Sequence, residues 1–132
     1  MGRTLWLALG HYQMNDFEKL LISVFIDAYP DEGDALRSQL IGCSIEEREF
    51  TNGGGVFITF NVNENSIPVS QSFLGEFSYI CGPSISSSEL ECGSCTDFNF
   101  TEKGFVDHVE IQALANDYPS KRHPLKYEIQ MP

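Results

Sequence analysis

A chain of 132 residues, 42% hydrophobic and 20% charged, has the size and composition of one globular domain and needs no metal or disulfide framework to fold. Nineteen acidic against eight basic residues leave a formal charge of −11, which repels phosphate backbones, argues against nucleic acid and favours a basic partner, although solubility is the simpler use of such a surface. No run approaches the roughly 20 apolar residues that cross a bilayer, so no membrane partner is expected.

The first residues, MGRTLWLALGHYQ, hold one Arg and a five-residue apolar run, Leu5 to Leu9. An export signal needs about 7–15 such residues. A cytoplasmic location and free thiols at Cys43, Cys81, Cys92 and Cys95 are therefore expected. Met14 stands just before a helix start, so either Met1 or Met14 can be the natural start. Residues 1–13 read as an N-terminal extension or arm, and 14–132 as a single domain.

The clearest element follows. Asn15 can cap a helix, and Glu18 stands three residues on, as in a capping box. Phe17, Leu20, Leu21, Val24, Phe25 and Ala28 repeat at helical spacing, with Ile22 and Ile26 widening the stripe. Tyr29-Pro30 ends the helix, because proline disfavours a helical residue before it. DEGDALRSQLIG predicts a second, shorter helix with acids in its first turn and Gly42 as its stop.

From Cys43 onward the period is two. SIEEREFT predicts a polar strand in which Glu46, Arg48 and Phe50 share a face. VFITFNV alternates Val56, Ile58, Phe60 and Val62 against Phe57, Thr59 and Asn61. FLGEFSYIC places Phe73, Phe77, Tyr79 and Cys81 together. DFNF and FVDHVEIQAL flank a hairpin turn at Thr101 to Gly104, and LKYEIQM supplies a last strand. The expected fold is α+β: one or two N-terminal helices packed on a mostly antiparallel sheet of about five or six strands.

EFTNGGGVFITF poses a choice between a phosphate-cradling loop and a turn. A phosphate loop leads into a helix, and here the glycines lead into strand residues. Asn52-Gly53 is itself a hairpin signal, so the stretch is expected to reverse the chain, with a backbone ligand site at Asn52 as the lesser alternative. REFTNGGGVFITF, with GEFSYI and FNFTEKGFVDHVEIQALANDYP, resembles a small bacterial family of uncharacterised proteins with an R-x-F-T-x-x-G-x-F hairpin pattern. The resemblance covers roughly Met14 to Pro119 and implies a helix on an antiparallel sheet, with no assigned activity. The Cys-Gly-Ser-Cys segment and the longer NGGG turn depart from that pattern.

Four further features are candidate chemistry. Cys92 and Cys95 form a C-x-x-C, but one such pair supplies only two ligands for zinc and no helix follows to activate a redox thiol. His108 and Glu110 share a strand face on which a carboxylate could orient an imidazole, with Asp107 expected to point away. Arg48 can pair across strands, either with a buried bidentate partner or as a charge that keeps an edge strand soluble. Lys121-Arg122-His123, between two prolines, reads as an exposed basic loop.

No cofactor is indicated, and no catalytic residue can be named. The favoured function is a small acidic module, immunity- or antitoxin-like, that binds a basic protein as a monomer or homodimer. The alternatives are a ligand-binding or enzymatic domain with a pocket near His108, using Arg48, Asn52 and Glu110, and a metal or redox protein using the cysteines.

Overall fold

The computed structural model describes residues 12–132. The apolar run Leu5 to Leu9 lies outside the described residues, as does Met1. Tyr12 and Gln13, assigned to the arm by sequence, both touch the domain. Tyr12 exchanges two backbone hydrogen bonds with Ile45, and the Gln13 carbonyl accepts one from Arg48.

Helix α1 spans Asp16–Ala28. Its capping box is formed at both ends: the Asn15 side chain accepts from the Glu18 amide at 2.9 Å, and the Glu18 carboxylate accepts from the Asn15 amide at 3.1 Å. The buried stripe runs through Phe17, Leu21, Ile22, Phe25 and Ile26, while Leu20 faces solvent. The two isoleucines are thus central to the stripe. A 3-10 turn, Pro30–Glu32, leads into α2, Gly33–Leu40, and Gly42 takes the left-handed φ of +79° that lets the chain leave it.

Among the described residues seven strands form one antiparallel sheet: β1 (Ser44–Phe50), β2 (Gly55–Asn61), β3 (Tyr79–Cys81), β4 (Ser84–Ser87), β5 (Leu90–Phe100), β6 (Val106–Ala113) and β7 (Glu128–Gln130). The order is β1-β2-β6-β5-β4-β7, with β3 also paired to β5. The helices pack on one face, where Phe25 stacks on Phe98 with ring centroids 3.8 Å apart. Together with Ile58, Val109 and Ile111 these rings form the continuous core. The fold is α+β, as expected.

Three local expectations are corrected. The sheet has seven strands where about five or six were expected, because β3 and β4 are separate short strands along the long β5. FLGEFSYIC is not one strand. Ser70 caps a one-turn helix α3, Gln71–Leu74, by accepting from the Phe73 amide, and Gly75 at φ +60° turns the chain before β3. LKYEIQM is extended only at Glu128–Gln130.

Two bulges shift the period-two pattern. Ile45 pairs with Phe60 and Glu47 with Thr59, so Glu46 is the extra residue, and Arg48 falls in with Ile45 on the core side. Phe100 pairs with Val106 and Asn99 with His108, so Asp107 is extra and swings outward beside His108. The expectation that Asp107 points away from His108 fails for this reason.

The glycine stretch is a turn, as its strand context predicts. Gly54 donates to the Thr51 carbonyl at 2.9 Å and Thr51 donates to the Gly55 carbonyl at 3.0 Å. Gly55 has φ +143°, and a Cβ there would lie 1.8 Å from the Ile111 carbonyl oxygen, so only glycine fits.

Candidate functional site

The densest polar cluster joins the head of α1, β1 and the loop before β7. Glu18 sits at i−4 from Ile22 and i−7 from Phe25, so the helix carries its carboxylate into the core, and only 1% of the residue is exposed. Arg48, brought to the core side by the β1 bulge, grips it with both arms. Its Nε donates to Oε2 at 2.6 Å and its Nη2 to Oε1 at 2.7 Å. His123 Nε2 lies 2.9 Å from Oε2, and its Nδ1 lies 2.7 Å from the Tyr118 hydroxyl. A carboxylate only accepts, so His123 Nε2 carries a proton and donates it to Glu18. Phe17 stacks on the imidazole with centroids 4.2 Å apart.

With the Asn15 amide, four donors converge on the Glu18 carboxylate. Burial pushes its pKa up, but the hydrogen bonds from Arg48, His123 and Asn15 outweigh that and hold it at about 2. Arg48 is raised in turn, chiefly by its hydrogen bond to Glu18. The Tyr118 hydroxyl is pushed well above its ordinary value, first by burial and then by the Glu18 and Glu89 carboxylates.

Hydroxyl, imidazole and carboxylate in line have the connectivity of a nucleophilic triad. Their surroundings argue for a different role. Tyr118 is 3% exposed and His123 6%, and every polar atom of the line has a partner within the chain. A nucleophile needs room for a reacting atom beside it. The cluster instead fastens the later part of the chain to α1. His123 is therefore corrected from an exposed basic loop to a core residue, while Lys121 and Arg122 do remain exposed. Arg122 makes a second fastening, an ion pair with Glu89 at 2.9 Å.

The glycine turn serves the same end. Gly53 and Gly54 carbonyls accept from the amides of Tyr118 and Ala113, each at 2.9 Å. Asn52 itself is exposed, with φ +44°, and the carbonyls of Thr51, Gly53, Gly54 and Gly55 accept from the chain's own backbone amides.

His108 and Glu110 lie elsewhere, on the face of the sheet away from the helices. His108 Nδ1 bonds Asp107 Oδ2 at 2.7 Å, so its carboxylate partner is the bulged neighbour and not Glu110. Two rows cross this face. One runs Glu49, Phe57, Glu110, Asp97, Cys81; the other runs Glu47, Thr59, His108, Asn99, Tyr79. No member of either row is buried. Glu110 stands directly opposite Asp97, a like-charge pair that weakens a sheet, and no Lys or Arg bridges either of them among the described residues.

Cys92 and Cys95 lie within β5, and Cys81 is exposed at the end of β3. Among the described residues no three His, Cys, Asp or Glu groups are placed to hold a metal ion. Burial, then Asp97, raises the Cys95 thiol, and burial pushes Cys43 up to about 11. Cys43 lines a groove of about 610 Å³ with Met14, Ile22, Leu40 and Ile41, which contains none of His108, Glu110, Arg48 and Asn52.

Sequence reasoning named Arg48 but missed its partners. Glu18 was legible as a cap, and its position on the apolar stripe was the further signal that it is buried. Tyr118 and His123 carry no such signal, since polar neighbours and prolines surround them. Among the described residues no helix is long and apolar enough to cross a membrane. Compared with protein-family models, curated proteins and solved structures, the chain finds no match in any of the three.

Proposed function

We propose that this chain is a small acidic protein-binding module that receives a basic partner on the open face of its sheet. The observation that carries this reading is the unbridged carboxylate pair Asp97–Glu110, in line with Glu49 and the half-buried ring of Phe57. Two carboxylates held opposite each other raise the energy of the free protein, and a Lys or Arg brought between them removes that cost. The adjacent aromatic ring offers apolar and cation–π contact to the same side chain. A rigid support suits such a surface, and the Glu18 cluster supplies rigidity behind it. Neutralising a basic toxin, as immunity and antitoxin proteins do, is the setting this chemistry fits best. An enzymatic role has less support, because the hydroxyl–imidazole–carboxylate line through Tyr118, His123 and Glu18 is sealed in the core.

The test compares two triple variants of equal net charge by calorimetry with a Lys- and Arg-rich synthetic peptide at physiological ionic strength. Glu49→Gln with Asp97→Asn and Glu110→Gln alters the face. Asp27→Asn with Asp31→Asn and Glu64→Gln, all exposed, alters charge elsewhere. The face triple is expected to weaken binding about tenfold and the other triple far less. Equal losses would reduce the effect to net charge and remove the reading.

A further inference from the structure

The sheet also has an unpaired edge. Ser78 accepts from the Phe100 amide at 2.7 Å, and Gly82 donates to the Thr96 carbonyl at 2.9 Å. In an antiparallel pair the bonded residues alternate, so Ser78, Ile80 and Gly82 face β5 while Tyr79 and Cys81 turn their backbone groups away from it. The Cys81 carbonyl accepts from the Tyr29 hydroxyl at 3.0 Å. Tyr79 N–H, Tyr79 C=O and Cys81 N–H have no partner among the described residues. β7 pairs only with β4, over Ser84 to Ser86, and leaves β3 open.

Two aromatic side chains mark the same edge. Phe77 is 63% exposed and Tyr79 44%, with ring centroids 5.9 Å apart. Strand edges are ordinarily guarded by lysine, an internal proline or a bulge, and Tyr79-Ile80-Cys81 has none of these. Its guard is shortness: three residues offer one fully bonded cross-strand residue and part of a second. Backbone pairing would therefore set register, and the aromatic pair with the local charge would supply most of the affinity.

We propose that the outer edge of β3 accepts an extended, Lys- or Arg-bearing segment of a partner protein as an added strand. This deepens the reading of the chain as a binder of basic proteins and rests on it. Charge selects the occupant. Glu76 precedes the edge, Asp97 lies opposite Cys81, and the whole chain carries −11. A second copy would bring like charge to the same edge, whereas a basic strand would set its outward side chains beside Tyr79 and toward Asp97, about 5 Å further per strand.

The experiment uses the full chain, isotope-labelled, and a blocked peptide of alternating lysine and valine, with a glutamate–valine peptide as control. The basic peptide is expected to slow hydrogen exchange at the Tyr79 and Cys81 amides and to shift their resonances. Tyr79→Pro removes an amide that β5 does not use, and is expected to cut affinity about tenfold at an unchanged melting temperature. If that variant melts early, Phe77→Ser, at an exposed position, probes the edge instead, with the same loss of affinity expected. Undiminished binding by the folded variants, equal binding of the glutamate peptide, or a dimer of the free chain that Tyr79→Pro dissociates would each overturn the proposal. Shifts confined to Phe57 and Glu110 would overturn it while leaving the open-face reading intact. No binding of either peptide would remove both.

Discussion

Glu18 has two jobs that pull on one side chain. It closes the capping box of α1 and anchors Arg48 and His123. Removing its charge leaves a guanidinium facing a buried site without a counter-charge, which costs about 3 kcal/mol in comparable pairs. Glu18→Gln is accordingly expected to lower stability by about that amount in denaturant unfolding, and Arg48→Met, which strands the carboxylate, by at least as much. Acid should act through the same group. Its pKa is about 2 when folded against an ordinary 4.5, so the unfolded chain takes up the proton first. The contribution is full above 4.5 and is lost as pH falls toward 2, on the order of 3 kcal/mol in all. In Glu18→Gln the acid limb of the stability curve should flatten over that window. A limb unchanged from the parent chain would mean other carboxylates govern it.

At the scale of elements, the turn before β2 and the loop after β6 form one unit. Gly55 has no room for a Cβ against Ile111, and Gly53 and Gly54 accept the amides that lead to Tyr118. Gly55→Ala is expected to destabilise by about 2 kcal/mol or more, since the strained φ and the contact with backbone add. Its amides at Ala113 and Tyr118 should exchange faster than in the parent, and a local loss elsewhere would refute the coupling. Much of this level was legible beforehand. The capping box, the stop at Tyr29-Pro30, the hairpin at Thr101 to Gly104 and the turn reading of the glycines all follow from local chemistry, and the structure has them. What escaped was parity. A bulge adds one residue without changing composition, so nothing in EEREF or FVDHVE announces that Glu46 and Asp107 are extra. Each bulge reassigns a candidate site residue: Arg48 to the core, and Asp107 to His108. His123 escaped for another reason, because its burial depends on partners far away in the chain.

Over the whole molecule, charge and covering are both uneven. The helices shield one face of the sheet, and the other presents Glu47 and Glu49, exposed, with Asp97 and Glu110, half-buried. Added salt should screen this repulsion, so the melting temperature is expected to rise as the Debye length shrinks from about 10 Å at 0.1 M toward 3 Å at 1 M. The neutralised face triple should show a smaller rise than the parent, and an equal rise would place the repulsion elsewhere. The bond from His123 to Glu18 adds a consequence in time. It joins positions 105 apart in sequence, and synthesis runs from one to the other. A ribosome that has released α1 and β1 holds a carboxylate–guanidinium pair still lacking its imidazole lid. That part of the core can therefore close only once the segment carrying His123 has been made, long after α1 and β1.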